Sequence, residues 1–386
     1  MRRAALVVLD GVGIGAAHDA DRYGDADSNT LGHVAEHTPD FSLPTLEALG
    51  IGSLLSLPGV DPIAGTAARC ALEPASAGKD STTGHWELCG VHLDRPFPTW
   101  PAGFPAEVVR EFERLTGRRV LGNVAASGTE ILERHADEHV ATGAWILYTS
   151  ADSVFQLAAH EDVVPLDELY AACTAARRML VPPHDASRVI ARPFRGTQGA
   201  WVRTANRRDF SIAPAGETLL DALAAAGIAR IGVGKVDDLF AGRSITSTHT
   251  RSNAEGIHHI QAWMADGASG FLFANLVDFD QLYGHRNDVP GFYRALRELD
   301  AGLPDLLAFL REDDLLILTA DHGNDPTTPS TDHARERVPM LMVGPRVRPV
   351  HLPVRRTFSD VGATIAEWFG LGFRGRGTSF LADVLT

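Results

Sequence analysis

Short apolar runs rich in Val, Ile and Leu alternate along the chain with longer stretches whose apolar residues recur at helical spacing. Runs of about four to eight apolar residues are typical of buried strands. The predicted strands are residues 6–9, 144–148, 188–191, 228–233, 271–277, 315–319 and 340–343. The predicted helices are residues 105–116, 165–180, 218–226, 253–265, 291–311 and 359–369. This alternation predicts an α/β fold with a mainly parallel sheet flanked by helices.

Aspartate and histidine residues stand directly after three of the predicted strands or in the loops that follow them. They are Asp10, Asp280, His285, Asp321, His322 and His333. A single aspartate after a strand is more typical of a helix N-cap. Because ligands of parallel sheets gather at the carboxyl ends of the strands, we nevertheless expect all six to meet. Three carboxylates and three imidazoles suit two divalent ions such as Mn, Zn or Fe, among which the ligand types alone do not distinguish.

The segment GKDSTTGHWE, residues 78–87, is predicted to be a hydroxyl-rich turn near these ligands. Its hydroxyl groups belong to Ser81, Thr82 and Thr83. Such a run before a glycine is usually only a turn or a helix cap. Beside two metal ions, one hydroxyl would attack phosphorus, with His85 and Glu87 as acid/base or ligand-supporting groups. The local sequence does not show which hydroxyl acts.

Lysine is rare in this chain, because only Lys79 and Lys235 are lysines among its 35 Lys and Arg residues. Lys79 lies in segment 78–87, and Lys235 follows the apolar run 228–233. A compact ammonium is not interchangeable with a guanidinium at a phosphate or carboxylate. Chance retention explains either lysine alone, but the positions of both together indicate a functional role.

Composition narrows the class of protein. The 45% hydrophobic and 22% charged content predicts a globular chain, and a net charge of -14 disfavours nucleic acid and anionic membranes as partners. No apolar stretch approaches the roughly 20 residues of a membrane span. The three cysteines show no metal-ligand spacing and predict free thiols in a reducing compartment, so we expect a cytoplasmic location. No obligate protein partner is predicted.

The predicted ligands skip the middle of the chain, which indicates an inserted domain. A length of 386 residues favours two domains. The Pro-rich segment 94–105 and the Arg-rich segment 204–216 mark the entrance and the exit. We therefore predict a discontinuous metal-binding core of residues 1–95 and 216–386, and an inserted α+β cap domain of residues 96–215.

Longer motifs relate the chain to a known family. They are LVVLDGVGIG at residues 6–15, NTLGH at 29–33, GKDSTTGHWE at 78–87, ASGTEIL at 126–132, YTSADSV at 148–154, RVIARPF at 188–194, NLVDFD at 275–280 and TADHGNDPTTPSTDH at 319–333. Along essentially its whole length, the chain resembles the phosphopentomutases of the alkaline phosphatase superfamily. The metal motifs alone mark only the superfamily, whereas segment 78–87 and the motifs of the insert are more specific.

This resemblance implies an alkaline-phosphatase-like core and a cap that recognises a sugar phosphate. It implies interconversion of ribose 1-phosphate and ribose 5-phosphate, and of their 2-deoxy forms, through a phosphorylated enzyme and a sugar bisphosphate. Two Mn²⁺ ions would be the cofactors. Glucose 1,6-bisphosphate, or a related sugar bisphosphate, would be the activator.

The resemblance also implies residue roles. One Mn²⁺ would be held by Asp280, His285 and His333, and the other by Asp10, Asp321 and His322. The phosphate would be carried by Ser81, where familiar members have threonine, and Thr82 stays as a rival. Lys79, His85 and Glu87 would support this group.

In the insert, the resemblance assigns Asp152 to the sugar hydroxyls. It assigns the distal phosphate to Arg188, Arg192 and Arg203, while Lys235 would contact the substrate from the core. Read without the resemblance, Asp152 is also suited to capping a helix. Without the resemblance, Arg188 or Arg192 could equally be a solvated charge at the edge of a sheet.

Two other functions fit part of the sequence. The nearer one is a different enzyme of the superfamily, either a phosphoglycerate mutase or a metal phosphatase. The more distant one is a non-catalytic protein that binds metal or sugar phosphate. The inserted domain and segment 78–87 favour a phosphopentomutase over another enzyme of the superfamily. The complete ligand set disfavours a non-catalytic binding protein.

Overall fold

The computed structural model describes residues 2–150 and 152–386, which leaves Ala151 of the 148–154 motif outside the described residues. The chain divides into two compact units. The core unit comprises Met1–Pro96 and Pro214–Thr386, and the inserted unit comprises Phe97–Ala213. None of the helices in the described ranges is long and apolar enough to cross a membrane.

The strands of both units are numbered in chain order. They are β1 Arg3–Leu9, β2 Ala68–Leu72, β3 Val120–Ala125, β4 Trp145–Thr149, β5 Val154–His160, β6 Arg188–Arg195, β7 Val202–Arg203, β8 Arg208–Ser211, β9 Arg230–Val233, β10 Ser247–Thr248, β11 Gly270–Leu276, β12 Asp314–Thr319 and β13 Val338–Val343.

The α-helices are numbered in the same way. They are α1 Thr30–Glu36, α2 Pro44–Leu49, α3 Ser81–Leu88, α4 Ala106–Thr116, α5 Gly128–Thr142, α6 Leu166–Met179, α7 Leu219–Ala225, α8 Val236–Leu239, α9 Asn253–Asp266, α10 Val289–Ala308, α11 Ser359–Trp368 and α12 Leu381–Val384. Short 3-10 turns occur at Ala20–Tyr23, Ile51–Ser53 and Gly284–Arg286, and a π-helical turn at Phe279–Tyr283.

The core unit is built on a seven-stranded sheet with the order β10-β9-β11-β1-β12-β13-β2. All neighbours are parallel except β13, which runs antiparallel to both β12 and β2. Every residue of β1, β11 and β12 is buried, as expected for central strands covered on both faces. The predicted α/β class with a mainly parallel sheet is therefore confirmed.

The register of the central strands places their carboxyl ends at one edge of the sheet. Val8 of β1 lies opposite Asn275 of β11 on one side and Thr319 of β12 on the other. The segments that follow these three strands therefore start at the same level. They carry the aspartates and histidines that the sequence placed at strand ends.

One element differs from the sequence prediction in a way that affects the site. Segment 78–87 was predicted to be a turn, but residues from Ser81 onward form the helix α3. The Asp80 side chain caps this helix, because it accepts a hydrogen bond from the backbone N–H of Thr83 at 3.1 Å. Ser81 is consequently the first residue of a helix, where backbone N–H groups lack intrahelical partners.

The inserted unit has its own mixed sheet with the order β3-β4-β5-β6-β7, and β8 pairs with β6. Its larger core cluster joins aromatic residues of the sheet and of α4, among them Phe112, Trp145 and Phe155, with the apolar face of α6. A smaller cluster packs Ile131, Leu132 and Ala136 of α5 on the sheet. The inserted unit is thus an α+β fold with a buried core of its own.

A buried ion pair lies at the amino end of the central strands. Arg3 begins β1 and contacts Asp314 of β12, with both side chains only 2% exposed. The Arg3 Nε donates to Asp314 Oδ1 at 2.8 Å, and another guanidinium nitrogen donates to the Met264 carbonyl at 2.8 Å. These bonds satisfy both charges and allow a charged residue to start a fully buried strand.

Replacing Arg3 with alanine is expected to lower the free energy of unfolding by about 3–5 kcal/mol, because Asp314 would stay buried without its partner. Urea unfolding of the single variant and of Arg3→Met/Asp314→Leu measures this, and the double variant should recover most of the loss. The control is Arg346→Ala, whose partner Asp313 lies 3.5 Å away with side chains 38% and 47% exposed. This exposed pair should contribute about 1 kcal/mol at most. Equal losses in Arg3→Ala and Arg346→Ala would contradict the assignment.

Candidate metal centre

The aspartates after β1, β11 and β12 are buried together at the carboxyl edge of the core sheet. Asp10 directly follows β1, Asp280 lies in the π-helical turn after β11, and Asp321 follows β12. With the neighbouring histidines they form two overlapping groups whose ligand atoms lie within 4.8 Å of one another. The groups are Asp10, Asp321 and His322, and Asp280, His322 and His333. His322 belongs to both.

The sixth predicted ligand, His285, adjoins the second group. Its Nε2 lies 3.2 Å from Asp280 Oδ2, and the His285 and His333 ring centres are 4.8 Å apart. All six predicted ligands are therefore brought together. Their division between two ions stays a prediction, because His322 contacts both groups.

The spacing of the ligand atoms suits a bound divalent ion. Nitrogen and oxygen ligands at about 2.1 Å from a tetrahedral ion lie about 3.4 Å from one another. His322 Nε2 is 3.3 Å from Asp10 Oδ1 and 3.5 Å from Asp321 Oδ2, and His333 Nε2 is 3.4 Å from Asp280 Oδ1. These separations are longer than good hydrogen bonds and match the distances between ligands of one ion.

Backbone carbonyls orient two of the imidazoles. The Nδ1 of His322 lies 3.0 Å from the Gly323 carbonyl oxygen, and the Nδ1 of His285 lies 2.6 Å from that of Thr331. A proton on Nδ1 satisfies each carbonyl and directs Nε2 at the carboxylates. This arrangement is typical of histidines that bind metals.

Burial and mutual charge perturb the acid groups strongly. Burial raises the pKa of Asp10, and the negative charges of Asp321 and Asp280 raise it further. Burial also acts to raise the pKa of Asp280, but His333 and His285 hold it well below its usual value. Burial acts to lower the pKa of His322, yet Asp321 and Asp10 raise it well above its usual value. The cluster is thus an anionic pocket that attracts positive charge.

Ser81 is the hydroxyl that reaches this cluster. Its Oγ lies 3.1 Å from His322 Nε2 and 3.4 Å from Asp10 Oδ1. Within the described residues, Thr82 makes no hydrogen bond to a predicted ligand, and the Thr83 hydroxyl donates to Asp80 at 2.6 Å. The helix comes close because Gly84 has no side chain, since a Cβ there would overlap the Asp321 carbonyl oxygen.

The predicted supporting residues occupy different surroundings. Glu87 is buried and accepts hydrogen bonds from the backbone N–H groups of Ala75, Ser76 and Phe358 at 2.9, 2.7 and 3.0 Å. A carboxylate that accepts so many donors serves as an anchor for the loops around it. Lys79 Nζ lies 3.0 Å from Asp25 and 3.6 Å from Asp332, and so joins segment 78–87 to the residue before His333.

The structure adds residues that the sequence analysis did not name. The buried guanidinium of Arg335 pairs with Asp19 and donates to the carbonyls of Ser76 and Gly78 at 2.6 and 2.7 Å. Asn324 donates to Asp280 Oδ1 at 2.7 Å, and Asn275 donates to Asp10 Oδ2 at 2.9 Å. Both asparagines lie in motifs that also carry predicted ligands, Asn324 in residues 319–333 and Asn275 in residues 275–280. Their place in these motifs could have indicated a role at the metal site. Arg335 had no local signal, because its partners are distant in sequence.

In the inserted unit, Arg188 and Arg192 flank Asp209, a partly buried carboxylate that the sequence analysis missed. Arg188 lies 3.8 Å from both Asp209 and Asp152, and Arg192 Nε donates to Gln156 Oε1 at 3.0 Å. Burial, with the charge of a neighbouring arginine, lowers the pKa of Arg192. Asp152 precedes strand β5, so the helix-cap alternative for it is wrong.

The two remaining predicted substrate residues are exposed. Arg203 lies in β7 and packs over Gly128, where a Cβ would overlap its guanidinium. Lys235 follows β9 in the core unit and contacts the side chain of Gln281, next to Asp280. Each is therefore accessible to a ligand of its own unit.

Comparisons with known proteins agree with this geometry. The Metalloenzyme superfamily model matches residues 2–372. The phosphopentomutase of Acetivibrio thermocellus is 52% identical over 390 residues, covering 100% of both chains. That of Carboxydothermus hydrogenoformans is 51% identical over 387 residues, again covering 100% of both.

Among solved structures, the PH0037 protein from Pyrococcus horikoshii shares the fold. Its TM-score is 0.51 at 15% identity, with 96% of this chain and 97% of that chain covered. The fold that the two chains share is of the mixed α/β type. On the full-length identity to its relatives, this chain belongs to the phosphopentomutases, a family of isomerases within the Metalloenzyme superfamily.

Proposed function

We propose that this chain interconverts ribose 1-phosphate and ribose 5-phosphate, and the 2-deoxy sugars, through a phosphorylated Ser81. The observation that carries the proposal is the position of the Ser81 hydroxyl, 3.1 Å from His322 and 3.4 Å from Asp10 within the ligand cluster. Phosphoserine would donate its phosphoryl group to the free end of the sugar, which gives a sugar bisphosphate. Return of the other phosphoryl group to Ser81 would complete the isomerisation.

Two Mn²⁺ ions are the proposed cofactors. One would be held by Asp280, His285 and His333, and the other by Asp10, Asp321 and His322. When bound, the ions would neutralise the transferring phosphoryl group and favour ionisation of the Ser81 hydroxyl. The donor set of carboxylate oxygens and imidazole nitrogens supports this assignment.

The chain's own groups also favour phosphate at Ser81. Because Ser81 is the first residue of α3, the unpaired backbone N–H groups of the first turn and the positive end of the helix dipole lie beside its side chain. Asp80 fixes this helix start through its bond to Thr83. Lys79 adds a positive charge nearby, although Asp25 and Asp332 share it.

We assign recognition of the sugar phosphate to the inserted unit. Arg188, Arg192 and Arg203 would bind the phosphate that does not react, and Asp152 would accept from the sugar hydroxyls. Arginine suits this role because its fork matches phosphate oxygens in pairs. From the core, Lys235 would contact the substrate. A sugar bisphosphate such as glucose 1,6-bisphosphate would prime the enzyme by phosphorylating Ser81.

The experiment that tests the reaction is a coupled assay of ribose 1-phosphate with Mn²⁺, in which ribose 5-phosphate and free phosphate are followed together. The enzyme should need a trace of glucose 1,6-bisphosphate and should release little phosphate. Phosphate release without ribose 5-phosphate would instead indicate a metal phosphatase. Tight binding without turnover would indicate a binding protein.

Replacing Ser81 with alanine is expected to reduce kcat by at least about a thousandfold, because the group that carries the phosphate is removed. Ser81→Thr keeps a hydroxyl and should retain activity within about tenfold. Mass spectrometry after incubation with glucose 1,6-bisphosphate should find the phosphate on residue 81 of the wild type. Thr82→Ala is the matched control, and a phosphate that moves with Thr82 would overturn the choice of Ser81.

Removing metal with a chelator should abolish isomerisation and lower the Tm, since the buried carboxylates would lose their counter-charge. Mn²⁺ at a hundred times its Kd should restore activity and add about 2.7 kcal/mol per bound ion to the free energy of unfolding. Asp280→Asn should lose much of that gain in a calorimetric scan. Asp94→Asn serves as control, because Asp94 is exposed and pairs with Arg376, 2.8 Å away. An equal loss in both variants would contradict the predicted ligand set.

Arg192→Gln should raise the KM for ribose 5-phosphate by about 10- to 100-fold, since a charged hydrogen bond to phosphate contributes about 1.5–3 kcal/mol. Steady-state kinetics of the variant and of Arg195→Gln would measure this. Arg195 lies in the same strand but is exposed and pairs with Glu161. An unchanged KM in Arg192→Gln would remove this residue from the phosphate site.

A further inference from the structure

His85 lies one helical turn after Ser81 and is fully buried. Its ring stacks on Phe273 of β11, with the ring centres 5.5 Å apart. The two ring nitrogens face different groups. Nδ1 lies 2.9 Å from the Ser81 carbonyl oxygen and 3.1 Å from Asp321 Oδ2, while Nε2 lies 3.1 Å from Asn275 Nδ2.

The contacts of Asn275 determine where the His85 proton resides. Asn275 Nδ2 donates one proton to Asp10 Oδ2 at 2.9 Å, and its second proton faces His85 Nε2. An amide nitrogen only donates, so His85 Nε2 has to accept. Turning the amide around would place its oxygen against the Asp10 carboxylate, which is repulsive. The Nε2 atom therefore carries no proton, and the ring proton lies on Nδ1.

A proton on Nδ1 gives His85 two acceptors on its other side. It is directed at the Ser81 carbonyl, and Asp321 Oδ2, which also only accepts, lies 3.1 Å from Nδ1 as an ionic contact. Every polar contact of the ring is thus consistent with a donor at Nδ1 and an acceptor at Nε2. His85 contacts the carbonyl of Ser81 and not its hydroxyl, which is the group that would exchange a proton in the reaction.

The result is a continuous chain of contacts from Asp10 through Asn275 and His85 to Asp321. It joins the segment after β1, the end of β11, helix α3 and the segment after β12. Asp10 is therefore held at Oδ2 while its Oδ1 faces His322, whereas Asp321 meets His85 and His322 at the same oxygen, Oδ2. The second group has a separate donor, Asn324, which contacts Asp280.

We propose that His85 and Asn275 are a pair of positioning residues for the ion that Asp10, Asp321 and His322 would hold. The inference rests on the two-ion site proposed above. Through Nδ1 and Nε2, His85 sets the distance between the two carboxylates and fixes both relative to Ser81. It is not a general acid or base. The pair acts on one ion, and Asn324 acts on the other.

Two substitutions separate the functions of the two ring nitrogens. In His85→Asn, the amide nitrogen replaces Nδ1 and keeps the donor for Asp321, but the acceptor for Asn275 is lost. In His85→Gln, the amide oxygen replaces Nε2 and keeps the acceptor, but the donor is lost. Each variant should weaken one of two Mn²⁺ binding steps by about 10- to 100-fold and leave the other within about twofold.

Calorimetric titration of the metal-free proteins with Mn²⁺ alone measures this without any turnover. Asn324→Leu is the matched variant for the second group and should weaken the opposite step. Wild-type Mn²⁺ affinity at both steps in both His85 variants, with only a lower Tm, would mean that His85 is merely structural and would overturn the proposal. A wild type that binds a single Mn²⁺ would contradict the two-ion site, and the effect of the His85 variants on that one step would still decide the role of His85.

The tautomer is tested on the wild-type protein, so the proposal does not depend on the variants folding. Nitrogen-15 NMR of the protein labelled at histidine should show a proton on Nδ1 of His85 and none on Nε2. The His85→Gln or Asn275→Ala spectrum identifies which signal belongs to His85. A proton on Nε2 would overturn the assignment.

Discussion

Three carboxylates buried within one cluster repel one another, and the rest of the site is arranged around that repulsion. Asp10, Asp280 and Asp321 lie away from water, where charges are weakly screened. The chain compensates for this in two ways. Imidazoles from the loops after the strands bring protons, and uncharged donors such as Asn275, Asn324 and the backbone N–H of Gly11 bind the carboxylate oxygens. The compensation is incomplete, as the raised pKa of Asp10 shows, and a divalent cation would complete it.

The position of Ser81 depends on this cluster through backbone packing as much as through its own contacts. Helix α3 approaches the segment after β12 because Gly84 leaves room for the Asp321 carbonyl. The loop before α3 is held by Glu87 from the helix and by Arg335 from beyond His333. Both side chains bind the loop through main-chain atoms of Ser76. Segments that are hundreds of residues apart thus position one hydroxyl, and a shift in any of them would move Ser81 relative to its neighbours.

The sequence predicted the fold class and six residues that the structure brings into one cluster, because strand ends and short motifs carry that information locally. Other features depended on distant partners. Strand β1 was predicted from residue 6, yet it starts at Arg3, since Asp314 neutralises that charge. Strand β2 was missed because Arg69 interrupts its apolar pattern, and in the fold Arg69 is buried against Ser53.

The helix at Ser81 was mistaken for a turn although Asp80 offered a typical N-cap signal. Arg335 could not be found at all, because its role lies entirely in contacts with residues 19–78.

The strand order has a consequence for how the polypeptide is made. β1 lies between β11 and β12, and β2 is separated from β1 by β12 and β13, so the first 96 residues contain no two neighbouring strands of the core sheet. On the ribosome, the inserted unit is complete, with its own sheet and core, before either neighbour of β1 has been synthesised. The segment that carries Asp10 and Ser81 meanwhile exposes an apolar strand with no partner, a state prone to wrong pairing. Strand β1 is therefore covered only after β11 and β12 have been synthesised.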